Sequence, residues 1–301
     1  MNRKPRLLNS YLSEELRANI GKNIFSEDFE NSVMSLRITG KLLEELRNIS
    51  LNYKHRVLED LVNKVIRELC RVNQYYYFGE KEKKELKLLY ASLLDRLLEN
   101  SEDLEARLPE IRSSHVGNLR GWLLKTNPFA EKLYGSHQKT LEMTPCEEYS
   151  AEFQLQLFGL DPKAIAGPVL DVGCGEQSNL VSFLRNLGIE AYGIDRYRSD
   201  SPWIYETDWL ALNYGKNSWG TIFSNLAFSN HFHHHHLRSD GQFEAYAQCY
   251  MRLLESLRPG GVFYYAPELP FVEKHLDKDK YLVETIAIPN LEIRASKVKR
   301  L

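Results

Sequence analysis

Apolar residues recur every three or four positions through most of the first 145 residues. "SVMSLRITGKLLEELRNI" and "HRVLEDLVNKVIRELCRV" show this spacing, and "KEKKELKLLYASLLDRLLEN" repeats it after a turn at Gly79. The period predicts amphipathic helices whose apolar stripes need partners, so residues 1–144 are expected to form an all-helical bundle. From about residue 165 the grammar changes to short apolar runs alternating with helical ones. "GPVLDVG" reads as a buried strand, and "SNLVSFLRNLG" as a helix with Leu180, Phe183, Leu184 and Leu187 on one face and Gly188 at its end. "IEAYGID", "SPWIYETD", "SWGTIFSNL" and "VFYYAPE" read as further strands. A long amphipathic helix, "GQFEAYAQCYMRLLESLRPGG", is expected to start near Asp240 and to stop where Pro259, Gly260 and Gly261 forbid continuation. The tail holds two β-rich runs separated by Pro289 and Asn290, a hairpin-like ending. Strand–helix alternation of this kind predicts an α/β sheet with crossover connections over residues 145–301.

Composition narrows the partners. Lys and Arg total 39 against 41 Asp and Glu, and the two signs also nearly balance within the helical half. The chain therefore lacks the positive field that binds phosphate backbones, and nucleic acid is disfavoured as a partner. No apolar run is long enough to span a bilayer and no leader follows the basic start, so the chain reads as a soluble protein of the cytoplasm. The four cysteines, Cys70, Cys146, Cys174 and Cys249, are scattered without a Cys-x-x-Cys pair, which suggests neither a disulfide framework nor a structural zinc site. The aromatic stretch "QYYYFGEKEKK" could stack bases, but its plainer reading is a helix end packed on the next helix.

The chemistry concentrates in "VLDVGCGEQSNL", residues 169–180, which is strand, glycine turn and helix. Glycines let backbone amides approach a ligand closely, and the following helix presents free N–H groups. Asp195, ending the next strand in "AYGIDRY", can accept hydrogen bonds from two ribose hydroxyls. A dinucleotide fingerprint wants a third glycine where Ser178 or Asn179 stands, so NAD is disfavoured. Together with "YETDW" and "LRPGGVFYY", these segments make residues 145–301 resemble the class I S-adenosylmethionine-dependent methyltransferases. The resemblance implies a Rossmann-like seven-stranded sheet with an antiparallel last strand, and S-adenosylmethionine as cofactor. It further implies that Gly173 and Gly175 face the methionine part, Asp195 the ribose and Asp208 the adenine, with Trp209 covering the ring. Asp171, ending the first strand, either orders the glycine turn or touches ligand. Gln177 stands where many members carry a third glycine, and the segment "LPFVEKHLDKDK" is short for the usual helix. The helical half matches no appended domain of the family.

Methyl transfer from a sulfonium is an in-line displacement, so the protein mainly positions donor and acceptor. In the family, the segment after the fourth strand borders the transferable methyl, and here it runs "SNLAFSNHFHHHH". It lacks the Asn-Pro-Pro-aromatic motif used on amino groups of bases and the Pro-Cys pair of pyrimidine C5 chemistry. What remains is transfer to the oxygen, nitrogen or carbon of a small molecule or a side chain, with a small molecule as the leading expectation. His231, nearest the strand end with Asn225 as polar neighbour, and His233 are the candidate catalytic residues, and Asn225 is a further candidate for cofactor binding. Two other readings of the histidines stay open: a solvated turn, and a metal site built on His231 with His235 or His233 with His236. No metal is expected, because adjacent residues point apart and no cysteine or glutamate lies inside the segment. A non-catalytic, cofactor-binding scaffold whose helical half holds a protein partner is the alternative function. An RNA methyltransferase ranks below both. "PCEEYSAEFQLQLFGL" reads as a helix suited to covering the cofactor side.

Overall fold

A computed structural model describes residues 6–26, 28–34, 38–99, 103–130, 149–197, 199–288 and 293–301. The chain forms two compact units, Met1–Cys146 and Glu147–Leu301. The expected boundary at residues 144 and 145, and the Pro289–Asn290 turn, lie outside the described residues.

The first unit is helical: α1 (Arg6–Asn19), α2 (Phe29–Ser32), α3 (Gly40–Asn48), α4 (Leu51–Val72), α5 (Glu80–Leu98) and α6 (Leu104–Thr126). Thr39 and Ser50 cap α3 and α4 by accepting from the backbone N–H groups of Leu42 and Tyr53. Helix α4 buries Val57, Leu58, Leu61 and Val62, while α5 buries Leu86, Leu93, Leu94 and Leu97. These are the stripes read in the sequence. The aromatic stretch serves the core: Tyr76 is buried, and Phe78 stacks on Trp122 with ring centroids 4.9 Å apart. Asn127 fixes that segment, accepting from the Tyr77 N–H at 3.0 Å and donating to the Tyr77 carbonyl at 3.1 Å.

The second unit opens with α7 (Ala151–Leu157), capped by Ser150. Then come β1 (Val169–Val172), α8 (Asn179–Asn186), β2 (Ala191–Asp195), β3 (Ile204–Glu206), β4 (Trp219–Asn225), α9 (Phe228–His236), α10 (Phe243–Ser256), β5 (Leu257–Ala266), α11 (Pro270–Glu273), β6 (Tyr281–Ala287) and β7 (Arg294–Arg300). The seven strands form one sheet in the order β3-β2-β1-β4-β5-β7-β6. Strands β1 to β5 pair in parallel, and β7 runs antiparallel between β5 and β6. This is the Rossmann-like class I methyltransferase sheet, with its antiparallel last strand.

Both sheet faces are covered, which is why β1 and β4 read as unbroken apolar runs. Leu170, Val172, Ile222 and Phe263 face α10, and Val169, Phe223 and Ala266 face α7 and α8. Two expectations need correction. Strand β5 starts at Leu257, not after Gly261: a bulge opposite Trp219 and Thr221 absorbs Pro259, Gly260 and Gly261 at the strand's beginning. Leu187, expected on the buried face of α8, is exposed, because the helix has ended at Asn186. Among the described residues, no helix is long and apolar enough to cross a membrane.

Candidate functional site

Parallel register sets the carboxyl ends of β1, β2 and β4 side by side, since Asp171 pairs with Gly193 and with Phe223. Side chains alternate along each strand, so Asp171, Asp195 and Asn225 share the face that carries α7 and α8. The turn after β1 is built on two left-handed glycines, Gly173 at φ +80° and Gly175 at φ +75°. A Cβ on Gly173 would lie 2.4 Å from the Ala227 Cβ, so the turn approaches the β4–α9 connection with no room for a side chain. That connection is fixed in turn: the Ser224 hydroxyl donates to the Val172 carbonyl at 2.8 Å and accepts from the Phe228 N–H at 3.0 Å.

Asp195 holds the turn from the neighbouring strand. One carboxylate oxygen accepts from the Gly175 N–H at 2.9 Å, and the other from the Tyr197 N–H at 3.2 Å. Burial raises its pKa, against the pull of Arg196 and these backbone donors. Asp171 differs sharply. It is 1% exposed, and neither carboxylate oxygen has a hydrogen-bond partner. Burial, with the Asp195 carboxylate adding to it, pushes its pKa up to about 8. Asn225 donates to the Gln154 side chain of α7 at 2.7 Å, while its own carbonyl oxygen is buried without a partner. Three orphaned oxygen acceptors thus sit at the ends of adjacent strands.

Asp208 accepts from the Leu210 N–H at 2.8 Å, closing a tight turn after β3. Trp209 reaches the Gly173 turn, its Cζ3 3.2 Å from where a Gly173 Cβ would fall, and its ring also meets Phe228 and His231 in T-shaped contacts.

The histidines form neither a turn nor a loop, contrary to expectation; they make up most of α9. Phe228, His231, Phe232 and His235 are its buried face, with His231 4% exposed. Burial, with Arg196, His235 and His234 nearby, holds the His231 pKa well below the usual value, so its imidazole is neutral. Its partner in packing is Trp209, whereas Asn225, expected beside it, is committed to Gln154. His233 is exposed on another side of the helix and is not brought together with His231. His235 stacks on Tyr246 at 4.7 Å, and His236 stacks on Phe271 at 3.8 Å. His234 meets Arg238 at 2.9 Å. Among the described residues, no three His, Cys, Asp or Glu side chains group as metal ligands would.

Sequence reasoning missed Gln154 and Arg196. Gln154 was visible only as a polar residue on the buried stripe of "SAEFQLQL", and Arg196 only as the cation following Asp195.

No family model matches the chain, and no curated protein does. Solved structures do. The N-methyltransferase NodS from Bradyrhizobium japonicum, in complex with S-adenosyl-L-homocysteine, is similar at 14% identity over 50% of this chain and 86% of that one, with a TM-score of 0.36. The 1,6-didemethyltoxoflavin-N1-methyltransferase of Burkholderia thailandensis is similar at 15% identity over 44% of this chain and 69% of that one, with a TM-score of 0.31. A methyltransferase from Geobacter sulfurreducens is similar at 12% identity over 52% of this chain and 82% of that one, with a TM-score of 0.35.

Proposed function

We propose that the Glu147–Leu301 unit binds S-adenosylmethionine and transfers its methyl group to a small-molecule acceptor in the cytoplasm. The observation that carries this reading is the set of orphaned acceptors, both oxygens of Asp171 and the carbonyl oxygen of Asn225. A buried acceptor without a donor is costly, and three together are the complement of a cationic group with several N–H donors. The amino end of S-adenosylmethionine is such a group, and the residues present therefore fit it. Asp195, already anchored by two backbone N–H groups, keeps lone pairs for ribose hydroxyls. Asp208 and Trp209 follow β3, where an acidic residue and a flat ring suit a purine. Gly173 and Gly175 bring the backbone close to the ligand.

When bound, the cofactor supplies an electrophilic methyl group. The chain's contribution is placement: the β1 turn fixes the donor end, and the β4–α9 connection borders the acceptor side. His231, neutral at physiological pH, is suited to orienting an acceptor or supporting Trp209, and less to taking up a proton. Calorimetric titration of the full chain with S-adenosylmethionine and S-adenosylhomocysteine tests the reading. Micromolar or tighter binding that Asp171→Asn and Asp195→Asn each weaken at least about tenfold supports it; an absence of binding to the parent protein refutes it.

A further inference from the structure

The helical unit contains a cavity of about 190 Å³, partly open to solvent and lined almost wholly by carbon. Leu61, Val65, Leu94, Leu119 and Trp122 from three helices form much of its wall. A space somewhat smaller than this one is enough to hold a benzene ring. A domain normally closes such a space, because its apolar lining otherwise stays in water and forfeits dispersion contacts that filling would restore.

A second observation concerns the same space. His115, on α6, lines the cavity and is 5% exposed, and among the described residues no group hydrogen-bonds its ring. Among the described residues its ring neighbour is Tyr90, at 5.2 Å between centroids, which lines the cavity too. Burial pushes the His115 pKa down to about 4, so the imidazole is neutral and offers one donor and one acceptor. A ligand group that pairs with either nitrogen would gain a hydrogen bond in an apolar wall, where it is stronger than in water. Lys22, which donates to Asn19 at 3.4 Å, and Tyr11, whose hydroxyl is buried beside Glu15, line the same space.

We infer that this cavity is a binding site for a neutral, mostly hydrocarbon small molecule, about the size of a substituted benzene, carrying one hydroxyl or carbonyl that His115 recognises. The site lies within the helical unit and is independent of the methyl-transfer reading.

Ligand-observed magnetic resonance and calorimetry on the full chain, with phenol, toluene and hexanoate as probes, test the inference. Phenol and toluene should bind saturably and hexanoate more weakly, because desolvating its carboxylate costs more than Lys22, the cation lining the space, returns. His115→Phe should weaken phenol at least about fivefold, the equivalent of one hydrogen bond, and leave toluene within about twofold. Val65→Trp or Leu119→Trp should abolish both by filling the space. If either variant misfolds, shifts of the His115 ring protons on adding phenol to the parent protein locate the site. Absence of saturable phenol and toluene binding, phenol binding that leaves the His115 ring protons unmoved, or binding that survives both filled variants overturns the inference.

Discussion

The His231 and Trp209 rings meet nearly perpendicular, with centroids 5.0 Å apart and planes at 78°. Trp209 in turn reaches the Gly173 turn, so a residue on α9 is coupled to the β1 turn through one indole. His231→Asn should lower turnover at least about tenfold through lost orientation of the acceptor, while cofactor affinity stays within about twofold. Because the His231 pKa is already well below the usual value, the parent's turnover should show no His231 titration between about pH 5.5 and 7.5. His231→Phe keeps the ring packing but removes both nitrogens, so full activity in that variant would reduce His231 to a packing residue.

Asp171 makes a prediction through its proton. Its folded pKa, pushed up to about 8, lies above the unfolded value of about 3.9. The associated stability is fully present below about pH 3.9 and is lost as pH rises through about 8, because the folded state must then hold a buried, uncompensated charge. Asp171→Asn should abolish that slope and stabilise the sheet unit at pH 8 by at least about 2 kcal/mol. A cationic ligand should do the reverse of neutralisation and draw the proton off Asp171. Calorimetry of S-adenosylmethionine binding at pH 7, in two buffers of different ionisation enthalpy, should therefore report proton release from the parent and none from Asp171→Asn. Equal release from both would remove Asp171 from the binding site.

What the sequence disclosed and what it hid both have physical causes. The parallel strands were legible because strands buried on both faces are unbroken apolar runs, and the glycine turn because only glycine holds its backbone angles. The histidine helix was not. Phe228, His231, Phe232 and His235 fall at i, i+3, i+4 and i+7, a helical buried face, but counting histidine as polar erases half of it. Neutral, stacked imidazoles behave here as aromatic core residues, and nothing in their spacing announces it. The orphaned oxygens were equally hidden, because Asn225 meets Gln154 across 71 residues of chain and Asp171 is defined by what fails to reach it.

Gly173 tests the tightness of the turn. With φ at +80°, an alanine would be strained, and its Cβ would stand 2.4 Å from that of Ala227. Backbone strain of about 1 to 2 kcal/mol adds to the displacement of the β4–α9 connection. Gly173→Ala should destabilise the sheet unit by at least about 2 kcal/mol in urea melts and also weaken cofactor binding. A neutral result would mean that the turn can back away from Ala227.

Glu273 joins three elements at a single atom. Its Oε1 accepts from the Tyr265 hydroxyl at 2.6 Å, from the Leu269 N–H at 2.7 Å and from the Ser296 hydroxyl at 2.7 Å. It thereby ties α11 to β5 and to the antiparallel strand β7, the part of the sheet that distinguishes this fold from a purely parallel one. The Tyr250 hydroxyl, 2.8 Å from that of Tyr265, extends the network into α10. Since Tyr265 donates to Glu273, Tyr250 donates to Tyr265, and every hydroxyl in the row is satisfied only while Oε1 accepts. Glu273→Ala leaves three buried donors without an acceptor, each costing about 1 to 3 kcal/mol, so a loss of at least about 3 kcal/mol is expected. Glu273→Gln retains an acceptor oxygen in the same place and loses only the charge assistance, so it should cost about 1 to 2 kcal/mol. Denaturant melts of the two variants should rank parent above Gln above Ala. Equal losses in Gln and Ala would show that the network depends on the carboxylate charge and not on the shared acceptor.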